Sequence, residues 1–164
     1  MKLSIFNKLL LFSLFFLAYW FFGNLYEEIV LAPNNLVNSY EALVCWQGFF
    51  QVTNQIHYYV PFTQLAVLVV YFLYFKSNDK YIKELLKRAS IFGLASIAIT
   101  VYIVTQLNLK LFFGDLETFQ QEIYNLSLIW LIVNFIRICL VGSTLYFVFK
   151  AYLRFQAKSN TQKG

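Results

Sequence analysis

Trp130, Asn134 and Arg137 stand at i, i+4 and i+7 in the last apolar stretch of the chain, so a helix through them carries all three on one face. A guanidinium at the middle of a membrane-crossing helix costs from about 3 to more than 10 kcal/mol, and it is expected to turn inward to a partner or an anion. Placed there, Arg137 and Asn134 offer donors to a developing negative charge, which is the chemistry of oxyanion stabilisation. The carboxylates nearest in height are Glu27 and Glu28, at the end of the first apolar stretch. Counting ~1.5 Å per residue from Lys8 and from Lys150, Glu27 stands about 28 Å up and Arg137 about 20 Å, a gap of ~9 Å that two long side chains cross. On an α-helix Glu27 and Glu28 point about 100° apart, so one of the two is expected to face inward. Asn24 shares a face with both.

His57, the only histidine, follows Asn54 by three residues and precedes Pro61 by four. It is a second candidate base, although a lone histidine at an interface is also an ordinary hydrogen-bonded structural group. The candidate catalytic set is therefore Arg137, Asn134, His57, Glu27 and Glu28, with ligand contacts from Trp130, Asn54, Asn24, Gln51 and Tyr58. One histidine, two separated cysteines and scattered carboxylates give none of the usual metal-ligand spacings. No glycine-rich phosphate loop or nucleophile elbow occurs, and no metal or cofactor is expected. Cys45 falls in a loop and Cys139 within the last apolar stretch, too far apart to pair.

These residues need long helices to position them. The chain of 164 residues is 60% hydrophobic and 13% charged, too little polar surface for a soluble globule of its size. Four apolar stretches, about 9–31, 58–75, 89–109 and 124–149, each reach the ~20 residues that cross a bilayer. The expected fold class is an all-α membrane protein, a four-transmembrane-helix bundle with a short outer amphipathic helix between spans 1 and 2. Residues 1–157 form the single membrane domain and 158–164 a polar disordered tail. Pro33 is expected to stop the first helix, Tyr40 to Tyr59 to form the outer helix leading into the second span, and Ser77-Asn78-Asp79 to cap a short basic helix.

The net charge of +5 is not pooled into a nucleic-acid patch. Lys2 and Lys8, then Lys76 to Arg88, then Lys150 to Lys163 flank the spans on one side, whereas Glu27, Glu28, Glu41, Asp115, Glu117 and Glu122 fall on the other. Both termini are therefore expected to be cytoplasmic, in a membrane of the bacterial inner-membrane type. The first span lacks a small-residue cleavage site and continues past Phe22, which reads as an anchor and not a signal peptide. Partners are membrane lipid and a small aromatic or apolar ligand; the oligomeric state is not specified.

Trp130-x3-Asn134-x2-Arg137 resembles the signature of the small four-helix membrane proteins related to fungal anthrone oxygenases. Gln51-x2-Asn54-x6-Pro61-Phe62 and Gly23 to Pro33 are similar to two further segments of that family. The resemblance implies the same bundle and, as in the fungal enzymes, oxidation of a polyketide anthrone by molecular oxygen without metal or flavin. It singles out Trp130, Asn134, Arg137, Asn54, Pro61, Gly23 and Pro33; Glu27, Glu28 and His57 rest on spacing alone. The alternative is a non-enzymatic binding, interaction or immunity-type membrane protein in which Arg137 is a structural ion-pair residue.

Overall fold

The computed structural model describes residues 3–161 of the chain. Helix α1 (Leu3–Tyr26) runs through a wide π turn at Glu27–Leu31 into α2 (Ala32–Val37), and α3 (Ser39–Phe49) follows. Helix α4 (Gln55–Lys76) leads to α5 (Lys80–Tyr102), which ends in a second π turn at Ile103–Asn108 and the single turn α6 (Leu109–Leu111). Helix α7 (Ile123–Thr161) completes the chain. Contacts join α1 to α4, α4 to α5, α5 to α7 and α7 back to α1, the square of an up-and-down bundle with short connections. All four helical segments are long and apolar enough to cross a membrane.

The bundle is apolar on both its faces. Leu10, Leu17, Val70, Leu73, Leu86 and Val148 fill the interior, while Phe15, Ile91, Ile132 and Phe149 are exposed on the outside. Large exposed apolar side chains along helices of this length suit hydrocarbon as the surrounding solvent. One point of that interior is close: a Cβ at Gly93 would lie 2.8 Å from Val67, so glycine sets how closely α5 approaches α4. A second apolar cluster, Leu43, Ile103, Leu107, Leu111, Leu116 and Ile123, fastens α3 and the chain after α5 across one end. Gln47 adds to it by donating to the carbonyls of Gly114 and Leu111, at 3.0 and 3.4 Å.

The helices extend beyond the apolar runs, and three local expectations fail for identifiable reasons. Pro33 does not stop the first helix: the preceding turn widens so that the Ala32 N–H reaches the carbonyl of Glu27, which accommodates a residue without an N–H, and helical backbone ends only at Asn38. The stretch expected as one outer helix is interrupted over 50–54, because the Asn54 side chain accepts from the N–H groups of Ile56 and His57 and so starts α4 afresh.

No separate basic helix forms after Ser77. Asp79 caps α5 itself, accepting from Tyr81 and Ile82 at 3.0 Å, and its other oxygen takes the Lys158 ammonium at 2.9 Å. The Ile82 amide first, then Lys158, hold the Asp79 carboxyl below the usual carboxylate range. Lys158 belongs to α7, so the expected disordered tail is helical through Thr161; residues 162–164 lie outside those described.

Candidate functional site

Arg137 projects from α7 into the bundle and is 6% exposed, beside a fully buried Asn134 one turn earlier. Its Nε donates to Asn134 Oδ1 at 3.1 Å, and its Nη2 donates to the same oxygen and to Asn24 Oδ1 on α1. Asn24 is fixed in turn by donating to the Trp20 carbonyl at 2.7 Å, and Asn134 donates to Glu28 Oε2 at 2.8 Å. A charged network of this kind ties α1 to α7 and leaves each amide satisfied at both ends. No described protein acceptor is bonded to Arg137 Nη1.

The expected direct salt bridge is absent. Among the described residues the ion pairs are Arg88–Glu84 and Lys158–Asp79, and neither involves Arg137. Glu27 and Glu28 interact with the guanidinium through space, without contact. The expectation that only one of them faces inward also fails. Both lie in the π turn, where the wider spiral brings consecutive side chains closer in direction than an α-helix does. Glu28 meets Asn134, and Glu27, 9% exposed, has no hydrogen-bond partner among the described residues.

A cavity of about 70 Å³, open on one side, lies at this end of the bundle, and both Arg137 and Glu27 line it. The chain has three tryptophans, and Trp20, Trp46 and Trp130 all form its walls. Trp130 is held in place by donating to Asn108 Oδ1 at 2.7 Å. Asn108 belongs to the second π turn as Glu27 belongs to the first, so both irregular turns deliver a polar side chain to the same space.

Of the residues singled out by spacing, Arg137, Trp130, Asn24, Glu27 and Asn54 line the cavity, while Asn134 and Glu28 support it from behind. Asn54 is occupied as the cap of α4. His57, Gln51 and Tyr58 do not join them: their side chains are exposed and lie outside the cavity lining, since α4 restarts at Gln55 and turns Gln55, Ile56, Tyr59 and Val60 to the cavity in their place. Cys45 and Cys139 are free and exposed. Sequence reasoning missed Trp20, Trp46, Tyr59 and Asn108. Trp20 lies four residues before Asn24 on the same helical face, a signal that was available; the others arrive by tertiary packing.

The fold and the cavity define a four-helix membrane protein with an arginine, a carboxylate and three tryptophans around one partly open cavity. Compared with protein-family models, with curated proteins and with solved structures, the chain matches none.

Proposed function

We propose that the protein binds a flat phenolic or enolic molecule at the outer end of the bundle and oxidises it with molecular oxygen, as the resemblance to anthrone oxygenases implies. The observation that carries this reading is a buried guanidinium and a buried carboxylate lining one cavity without pairing with each other. In a site that only locks helices together, the two would be expected to meet. Left apart, they can act on a third group: Glu27 takes a proton from the bound molecule, and Arg137 stabilises the anion left behind. The electron-rich carbanion then reduces dioxygen. For a CH2 group oxidised to a ketone, one oxygen atom enters the new carbonyl and the other leaves as water, so the electrons balance with the substrate as sole reductant.

The charge distribution of the loops puts the cavity end outside and both termini in the cytoplasm. The test is oxygen uptake by purified protein supplied with anthrone. One O2 is expected per anthrone, with anthraquinone as product, and Arg137→Gln is expected to lower turnover by about 100-fold or more while remaining folded. Wild-type turnover in folded Arg137→Gln removes Arg137 from the chemistry; absence of uptake by the wild type with anthrone and with simple hydroquinones removes the oxidase reading. The Asn24–Arg137–Asn134–Glu28 chain favours one other reading, a non-enzymatic binding or immunity-type protein in which the network serves helix association alone.

A further inference from the structure

The seam between α1 and α4 carries a chain of aromatic rings that ends at the cavity wall. Phe62 stacks on Phe16 with centroids 5.2 Å apart and planes 12° from parallel, and Phe16 meets Tyr19 edge-on at 6.2 Å. Tyr19 touches Tyr58 at 5.1 Å and Tyr59 at 4.9 Å. Tyr59, the last ring of the chain, lines the cavity, whereas Phe62 and Tyr58 are 51% and 61% exposed to the surroundings of the bundle. The strip therefore joins the outer surface of the bundle to the cavity wall.

Gly23 makes that junction thin. No residue of the described chain has a positive φ, so glycine is not needed there for backbone conformation. A Cβ at Gly23 would lie 2.5–2.6 Å from the Tyr59 hydroxyl and ring. Glycine is less favourable than alanine within a helix, and here it lets the Tyr59 ring lie directly against the α1 backbone where seam and cavity meet.

The polar side of the cavity specifies a head. Glu27 is more than nine-tenths buried, and among the described residues neither its carboxylate nor Arg137 Nη1 has a hydrogen-bond partner. A ring bearing oxygen substituents offers an acceptor to the guanidinium in either redox form and, as a hydroquinone or phenol, an O–H to the carboxylate as well. The aromatic seam offers hydrocarbon a packed surface leading from the cavity wall toward the bilayer.

We propose that the occupant is a ring-headed lipid: an oxygen-substituted aromatic or quinonoid ring held in the cavity, with a long hydrocarbon chain passing Tyr59 and lying along Tyr19, Tyr58, Phe16 and Phe62. This rests on the reading of the cavity as a ligand site, and names the ligand class.

Two probes separate the two claims. A tailless ring, 2,3-dimethoxy-5-methyl-1,4-benzoquinone, is titrated into the protein in lipid nanodiscs while tryptophan fluorescence is followed, since all three tryptophans line the cavity. Saturable quenching is expected. The same ring carrying a decyl chain with a terminal diazirine is then photolysed, and labelled peptides are mapped. Labelling is expected on residues 12–19 and 58–62, and it is expected to be lost when excess tailless ring occupies the cavity. Saturable quenching with label spread over all exposed helix faces, or unaffected by the competitor, overturns the tail route and leaves the cavity reading standing. Quenching that never saturates overturns the cavity reading, and the ring-headed lipid with it.

Discussion

Arg137→Leu is expected to destabilise the folded bundle by about 3–5 kcal/mol, the cost of removing one member of a buried charged network. The loss has two parts. Asn24 Oδ1 and Asn134 Oδ1, both buried, lose their donor, and Glu27 and Glu28 lose the neighbouring cation. Arg137→Lys keeps the charge but replaces a planar fork by one ammonium, which cannot reproduce bonds from Nε and Nη2 to two different helices, so it restores only part of the loss. Thermal unfolding in mild detergent, followed by circular dichroism, checks the order wild type, lysine, leucine. A leucine variant as stable as the wild type would mean that the network contributes nothing.

The second large effect is expected from a single methyl group. Gly23→Ala should gain about 1 kcal/mol from helix propensity. Its Cβ would instead strike the Tyr59 ring, and overpacking of this kind costs about 1–3 kcal/mol. The expected result is therefore a net loss of stability together with loss of saturable quenching by the tailless quinone, since the displaced ring is part of the cavity wall. Tyr59→Ala removes the obstacle. In the double variant the alanine at position 23 should become stabilising, so the effects at the two positions are expected to be strongly non-additive. Additive melting shifts would show that the two residues do not press on each other.

The bundle was legible in the sequence because four apolar runs of sufficient length leave few other solutions. The face of α7 that turns inward was legible too, since Trp130, Asn134 and Arg137 are polar or amphipathic residues at helical spacing in an otherwise oily segment. What the spacing could not supply was the π turn. The 100° rule separates Glu27 from Glu28, and the wider turn undoes that separation; Pro33, which denies the helix an N–H just beyond it, was the one local hint, and it reads equally well as a stop.

His57, Gln51 and Tyr58 failed for a related reason. Gln51 was placed on a helix from Tyr40 to Tyr59 that the break at 50–54 interrupts, and α4, restarted by the Asn54 cap, gives Gln55, Ile56, Tyr59 and Val60 to the cavity and not His57 or Tyr58. Trp46 and Asn108 come to the cavity from segments whose approach depends on how α3 lies across the end of the bundle. Local periodicity carries no record of that packing.

The measurement closest to the centre of this account is native mass spectrometry of the protein released directly from its own membrane under gentle conditions. The wild type is expected to carry a small organic molecule besides phospholipid, and Arg137→Lys and Gly23→Ala are expected to arrive without it. Wild-type protein that keeps its phospholipids yet shows the same mass distribution as both variants would contradict the claim that the space beside Arg137 is built to hold a ligand.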